Sequence, residues 1–377
     1  ERTLLLGADI RANRQVLSIT ESTAELKQLA RSAGAHVIKT LTQKLPRPTQ
    51  VYVGKGKLDE IRNITKNQHI NTVICDDELS PTQQRNLEIA LKDVKVIDRT
   101  ALILDLFASR TNTREGRLQV ELAQHEYMLP RLAGQWTHLE RLGGGIGTRG
   151  PGETQIETDR QIIRTKIQRL KKELSNVSKH RNIYRKRRKT EGLSIVSLVG
   201  YTNAGKSTIF NKLTGSSVRA ENKLFSTLDP VTRKIRLENG KDILISDTVG
   251  FIQKLPTAVV AAFKATLEEI HESNMILHVI ELPNTHAESQ VVIVEKILEE
   301  LNLQNKPRIL VLNKIDLMKN VQEKMNQNVI SKSDAEKHNA VFISATTGEG
   351  FDNLTERICK SLEGESDHKI FTKRRKD

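Results

Sequence analysis

Two cysteines among 377 residues, Cys75 and Cys359, stand far apart and without metal-ligand spacing. That excludes a disulfide framework and a cysteine-held zinc site, and it reads as two buried thiols in a reducing compartment. Aromatic residues are scarce at 3%, although a hydrophobic share of 37% is enough for real cores. The length allows two or three domains. No apolar run approaches the roughly 20 residues that cross a bilayer, so no membrane-spanning segment is expected. No signal-peptide pattern opens the chain. A cytoplasmic location follows as an expectation, with peripheral membrane association left open. The chain begins at Glu1 rather than Met, so upstream residues are expected to have been removed.

The chain has no shortage of positive charge, and its distribution matters more than the net value of +14. Residues 1–115 carry 18 Lys/Arg against 14 Asp/Glu, whereas residues 116–191 carry 17 against 8, a net of +9. Residues 192–362 balance at 20 against 20, and the last fifteen carry 5 against 4. A segment at +9 is the footprint of contact with a polyanion such as RNA, although solvated charged helices would give the same count.

The neutral stretch carries a run of nucleotide motifs. Residues Gly200-Tyr201-Thr202-Asn203-Ala204-Gly205-Lys206-Ser207 form a complete Gly-x-x-x-x-Gly-Lys-Ser loop, between an apolar strand pattern (193–199) and a helical one (208–213). A strand, a glycine turn and a helix start arrange backbone N–H groups and a helix N-terminus around a polyphosphate. Gly200, Asn203, Ala204, Gly205, Lys206, Ser207 and Thr208 are therefore candidate phosphate-binding residues. Lys206 is expected to reach the β/γ-phosphates, and the Ser207 hydroxyl to reach Mg²⁺.

A phosphate loop does not separate ATP from GTP. Asn313-Lys314-Ile315-Asp316 does, because the Asp316 carboxylate can accept from both N1–H and the exocyclic amine of guanine. Adenine lacks that donor pair and would leave the carboxylate unpaired. Asn313 is expected to tie this loop to the phosphate loop, and the stem of Lys314 to cover the base. Ser344-Ala345 matches the loop that offers a backbone N–H to the guanine carbonyl. Asp247-Thr248-Val249-Gly250 fits the Mg²⁺ shell and the γ-phosphate sensor, and Thr227 fits a switch threonine that closes on Mg²⁺. The metal set is then Ser207, Thr227 and Asp247, and the catalytic set is Lys206, Thr227 and Gly250. Directly after Asp-x-x-Gly, where signalling GTPases carry a water-orienting glutamine, stands Phe251. Either hydrolysis is completed by a partner or a switch rearrangement, or Phe251 simply packs under a switch loop.

The expected architecture is α/β and multidomain. Residues 1–115 form an N-terminal α/β domain, with strands around 3–7, 72–75 and 94–97 and helices around 23–33, 57–67 and 81–91. Ser80 caps the last of these, with Pro81 in its first turn. Gly54-Lys55-Gly56-Lys57 lacks phosphate-loop spacing and reads as a tight turn. Residues 116–190 form a basic, coiled-coil-like helical hairpin. Leu118, Leu122, Leu129, Leu132, Trp136 and Leu139 mark the first helix, which Pro130 is expected to kink. Ile163, Ile167, Leu170 and Leu174 mark the second. An arm of this kind is about 40 Å long. Its tip, residues 143–153, holds six glycines in its first ten residues, which suits a probe ordered by a partner or a flexible connector. Residues 179–189 hold seven Lys/Arg suited to phosphate contacts. Residues 191–362 form a P-loop GTPase domain with a mostly parallel sheet, and 363–377 a short charged tail.

Several of these segments together resemble the HflX family of ribosome-associated GTPases. They are 77–81 (Asp-Glu-Leu-Ser-Pro), 84–88, Gly143–Gly147, Arg149–Thr154, Gly200–Thr208, Phe225–Pro230 and Asp247–Ile252. The resemblance covers nearly the whole chain to about Leu362. It implies a GTPase that binds GTP/GDP and Mg²⁺, docks on the large ribosomal subunit and its RNA, and splits or rescues stalled ribosomes. A GTP-timed RNA-binding switch in subunit assembly is the alternative. A third class, a signalling GTPase with protein partners alone, does not require the +9 arm. The implied RNA contacts are Gly143, Gly144, Gly145 and Arg149 at the tip and Arg185, Arg187 and Arg188 in the basic stretch. Phe251 is the family's usual residue, which fits hydrolysis stimulated by the ribosome. Glu281-Leu282-Pro283-Asn284 departs from the family's Asp-Ala-Ser-like pattern. ATP use by the N-terminal domain stays open, and a monomer is expected.

Overall fold

The computed structural model describes residues 1–10, 17–134, 151–190, 192–217, 224–225, 227–254, 264–318 and 340–373. The chain divides into two compact units. The first holds Glu1–His180 with Gln253–Phe263, and the second holds Arg181–Ile252 with Lys264–Asp377.

In the first unit, strands β1 (Arg2–Ile10), β2 (His36–Leu45), β3 (Thr72–Cys75) and β4 (Lys95–Asp98) form a parallel sheet in the order β2-β1-β3-β4. The central strand β1 is buried without interruption from Thr3 to Ala8, the pattern of a parallel strand covered on both faces. Helices α1 (Ile19–Ser32), α2 (Lys55–Asn67), α3 (Pro81–Leu91) and α4 (Arg99–Arg110) connect the strands and follow them. Leu4, Leu6, Ile61, Val73, Leu79 and Leu87 pack one core.

Helix α3 starts where the sequence indicates. Ser80 and Gln83 form a reciprocal capping box, and Pro81 occupies the first turn. The turn expected at Gly54–Lys57 is instead a helix start, with Gly54 as N-cap of α2 and Lys55 as its first residue. Asp98 caps α4 by accepting from the Ala101 N–H at 2.8 Å, and it also accepts from the Leu79 N–H at 2.9 Å. Buried Arg99 pairs with equally buried Asp76 at 2.9 Å and with Glu25. A buried charge is tolerable only when it is paired and hydrogen-bonded in this way.

Helix α5 (Arg114–Met128) is capped by Thr113 and gives way to a 3₁₀ segment, Leu129–Gly134. The sequence periodicity runs on through Leu139 with a kink at Pro130. The α-helix stops at Met128 instead, because proline has no N–H to donate and its ring crowds the preceding turn. Trp136, Leu139 and residues 143–150 of the glycine-rich tip, Arg149 among them, lie outside the described residues, whereas 151–153, expected in the tip loop, begin helix α6. The long helix α6 (Pro151–Thr190) buries Ile167 and Leu170 and is tied to α5 by the ion pairs Lys166–Glu121 and Lys171–Glu126. The division between the units falls inside α6, after His180.

The second unit holds strands β5 (Ser194–Gly200), β6 (Val231–Arg236), β7 (Asp242–Asp247), β8 (Met275–Glu281), β9 (Arg308–Asn313) and β10 (Val341–Phe342). They form one sheet in the order β10-β9-β8-β5-β7-β6, in which the β6–β7 pair alone is antiparallel among the described strands. Helices α7 (Lys206–Thr214), α8 (Lys264–Glu272), α9 (Ala287–Glu300) and α10 (Phe351–Lys373) accompany it. Helix α10 continues beyond Leu362 into the residues that the sequence reading set apart as a tail. Val196, Leu198, Phe210, Ile245, Leu277, Val311 and Leu354 share the core. Burying each such side chain contributes about 1.5–3 kcal/mol. Because β5, β7 and β9 run parallel within the sheet, Gly200, Asp247 and Asn313 come to the same carboxyl edge, where open α/β sheets bind ligands. Among the described residues no helix is long and apolar enough to cross a membrane.

Candidate nucleotide site

The phosphate loop leaves β5 at Gly200 and enters α7 at Lys206. Two of its residues have left-handed backbone, Asn203 at φ 65° and Gly205 at φ 97°. A Cβ on Gly200 would sit 2.2 Å from the carbonyl oxygen of Val279, and one on Gly205 would sit 2.2 Å from the Asn313 amide nitrogen. Glycine is therefore required at both positions by their neighbours. The first N–H groups of α7 at Lys206, Ser207 and Thr208 have no partner within the helix and concentrate positive potential there.

Lys206 is buried, and its ammonium donates to the carbonyls of Gly200 at 3.1 Å and Tyr201 at 2.8 Å. Burial lowers its pKa to about 8, against the opposing pull of the Asp247 carboxylate. A phosphate nearby would favour the charged form. The loop borders a cleft with roughly 400 Å³ of empty space, lined by Asn203, Lys206, Ser207, Thr208, Thr227 and Gly250 among others.

Ser207, Thr227 and Asp247 come from three separate elements and converge. The Ser207 hydroxyl donates to Asp247 Oδ2 at 2.7 Å, and Thr227 donates to the same oxygen at 3.0 Å. The two hydroxyl oxygens stand 2.7 Å apart. Asp247 is fully buried, and its other oxygen, Oδ1, has no hydrogen-bond partner among the described residues. Burial raises the Asp247 pKa, although hydrogen bonds from Ser207 and Thr227 and the charge of Lys206 work against it. Two hydroxyls and a carboxylate with an unpaired buried oxygen form a hard oxygen donor set, which fits Mg²⁺. Gly250 lies close beside them. A Cβ on it would meet Thr202 Cα at 2.7 Å and Lys206 Nζ at 2.9 Å. Phe251 is buried, donates its N–H to the Gly200 carbonyl at 3.1 Å and accepts from the Thr202 N–H at 2.8 Å.

The guanine-side motifs assemble at the end of β9. Buried Asn313 donates its amide to the Ala204 carbonyl at 2.9 Å and accepts from the Ala345 N–H at 3.0 Å. Asp316 sits in the 3₁₀ turn Ile315–Leu317 and accepts from the Ser344 hydroxyl at 2.6 Å. Lys314 has left-handed backbone at φ 69°, and its ammonium meets Glu281 Oε1 at 2.7 Å.

The structure thus brings together every candidate nucleotide and metal residue in the second unit. Three contacts were not anticipated from sequence: the Ser344 hydroxyl on Asp316, the backbone exchange of Phe251 with the phosphate loop, and Glu281 on Lys314. The signal for the third was an acidic residue closing the strand beside β9. Of the proposed RNA contacts, Gly143, Gly144, Gly145 and Arg149 lie outside the described residues. Arg185, Arg187 and Arg188 fall within helix α6.

Three family models match along the chain: "GTP-binding GTPase N-terminal" over residues 20–108, "GTP-binding GTPase Middle Region" over 110–188 and "50S ribosome-binding GTPase" over 195–314. Among curated relatives, GTPase HflX of Caldanaerobacter subterraneus is 48% identical over 91% of this chain and 77% of its own length. GTPase HflX of Escherichia coli is 44% identical over 92% of this chain and 80% of its own length. A crystal structure of the protein SsGBP in complex with GDP aligns with a TM-score of 0.51 at 26% identity, covering 96% of this chain and 98% of that one. With its three regions matched in order and its relatives covered over most of their length, the chain belongs to the HflX GTPase family and is a GTP-hydrolysing enzyme.

Proposed function

We propose that this GTPase docks on the large ribosomal subunit through its basic arm, hydrolyses GTP in response, and so splits or rescues stalled ribosomes in the cytoplasm. The observation that carries the proposal is the residue after Asp-x-x-Gly. Phe251 is buried against the phosphate loop and has no polar side-chain atom, so it cannot orient the attacking water. A partner that completes the site on contact would make hydrolysis conditional on docking. The net +9 of residues 116–191 supports an RNA-rich partner, as does the description of the family model matched by residues 195–314.

Within the site, this reading gives each residue a task. Lys206 and the N–H groups at the start of α7 neutralise and orient the phosphates. Ser207, Thr227 and Asp247 would hold Mg²⁺, which when bound supplies neutralisation of charge on the β- and γ-phosphates. The Gly250 N–H meets the γ-phosphate, at a position where any side chain would collide with Thr202 and Lys206. Asp316 reads the guanine edge and is held for that task by Ser344.

The test is GTP hydrolysis by the purified protein, with and without large ribosomal subunits, at two salt concentrations. Stimulation of at least about tenfold, weakening steeply with salt, is expected. No stimulation at either salt would overturn the proposal. Conversion of 70S particles to subunits in the same reactions marks splitting, whereas stimulation with 70S particles left intact points to the assembly-switch alternative. Bulky replacements at Gly144 and Gly145 should spare GTP binding and abolish the ribosomal effect; unchanged ribosomal activity would sink the role given to the tip.

A further inference from the structure

Glu281 stands where its family's pattern leads one to expect a different motif, and the structure gives it a specific neighbour. In the β8–β9 pairing Glu281 lies opposite Asn313, and the Leu282 N–H donates to the Asn313 carbonyl at 3.0 Å. That register sets the Glu281 side chain beside the residue following Asn313, which is Lys314. The Lys314 ammonium meets Glu281 Oε1 at 2.7 Å, with both side chains only about a fifth exposed, at 23% and 22%.

We infer that Glu281 is a positioning residue for guanine-nucleotide binding, acting through Lys314. The inference rests on the reading of this site as the guanine site. Lysine carries a flexible four-carbon stem whose rotamer freedom must be lost before the stem can serve as a fixed surface. Here the stem is held at both ends. At its root, the backbone of Lys314 adopts φ 69°, between buried Asn313 and the turn that carries Asp316. At its tip, the ammonium is held by Glu281. The methylenes between are left as a preformed apolar strip, suited to one face of a planar base, while Asp316 takes the edge. Without Glu281 part of the ordering entropy of Lys314 falls on the binding step, and nucleotide affinity drops. The carboxylate touches no reacting group, so the chemical step at saturation does not depend on it.

The experiment uses the full chain and measures affinity for GDP, inosine diphosphate and xanthosine diphosphate, together with steady-state GTP hydrolysis. Glu281→Ala and Glu281→Gln are each expected to weaken GDP and inosine diphosphate equally, by about fivefold. KM for GTP should rise accordingly, with kcat unchanged. Equal weakening is expected because a base-covering stem does not see the exocyclic amine. Glu281→Asp should recover most of the loss. In a double-mutant cycle, Glu281→Ala combined with Lys314→Ala should bind no worse than Lys314→Ala alone. Unchanged affinity in both Glu281 variants, a fall in kcat with KM constant, or full additivity with Lys314→Ala would overturn the assignment. Asp316→Asn serves as the control on the site itself. If that variant keeps its preference for GDP over xanthosine diphosphate, the guanine-site reading fails whatever Glu281 does. If Asp316→Asn switches preference and Glu281 is silent, only the positioning role fails.

Discussion

The side-chain amide of Asn313 donates to the backbone carbonyl of Ala204 at 2.9 Å, joining two loops that lie 109 residues apart in the chain. The same side chain accepts from the Ala345 N–H at 3.0 Å, so one buried residue fastens three loops at the sheet edge. Both bonds go to backbone groups of neighbouring loops. It sets the distance between the phosphate end and the base end of the site.

Removing that fastening should loosen binding without changing base preference. Asn313→Ala strands the Ala204 carbonyl and the Ala345 N–H, each buried group costing about 1–3 kcal/mol when unpaired. GDP affinity is expected to fall by about 10- to 100-fold, measured by titration with a fluorescent GDP analogue. Affinities for GDP and inosine diphosphate should fall in parallel. A selective loss of one would assign Asn313 a direct role in base reading.

The same contact makes Gly205 intolerant of any side chain. Its φ of 97° is strained for other residues, and a Cβ would lie 2.2 Å from the Asn313 amide nitrogen. Gly205→Ala should therefore lose nucleotide binding at least as completely as Asn313→Ala, while circular dichroism shows the fold retained. Near-normal GDP affinity in Gly205→Ala would mean that the loop relaxes freely and that the fastening has little energetic weight.

Asp316 offers a change of specificity rather than a loss. Asp316→Asn replaces an acceptor pair by a carboxamide whose N–H can donate to the carbonyl that xanthine carries in place of the guanine amine. The ratio of GDP to xanthosine diphosphate affinity is expected to shift by on the order of 100-fold. Competition between the two diphosphates reads this directly, and an unshifted ratio removes Asp316 from base recognition.

A pH effect on stability is expected at Glu295, away from the nucleotide. Burial alone would raise its carboxyl, but hydrogen bonds from His278 and Arg308 and their charges outweigh it and hold the pKa at about 2, below an ordinary value of 4.5. A carboxylate with a depressed pKa stabilises the fold fully above 4.5, and that stabilisation fades as pH falls toward 2. Its side chain is 39% exposed, so solvent screening limits the contribution to about 1 kcal/mol. Glu295→Gln should lower Tm by about 2–4 °C at pH 7, with the gap from the parent protein shrinking on acidification below pH 4.5. A gap that widens in acid would contradict the assignment.

Features of this protein that depend on consecutive residues were legible in the chain itself. Gly200 to Ser207 specify a strand, a turn and a helix start within eight positions, and Ser80-Pro81 specifies a helix start within two, because capping and backbone conformation are local physics. Asp316 was expected as a guanine acceptor from its motif and its chemistry, and the structure sets it in the 3₁₀ turn that follows β9. Strand β2 was missed because exposed and part-buried residues alternate irregularly along this sheet edge around the two buried leucines, Leu41 and Leu45, which leaves no continuous apolar run to detect. The end of α5 at Met128 was read as a kink at Pro130, because apolar spacing continues past the proline while residues 129–134 form a 3₁₀ segment. What tertiary structure alone decided is which distant groups meet. Ser207, Thr227 and Asp247 converge because parallel β5 and β7 deliver their carboxyl ends to one edge and antiparallel β6 begins there, just after Thr227. Glu281 reaches Lys314 because the β8–β9 register sets it opposite Asn313. Register is a property of two strands packed on a shared core, and no single segment of sequence contains it.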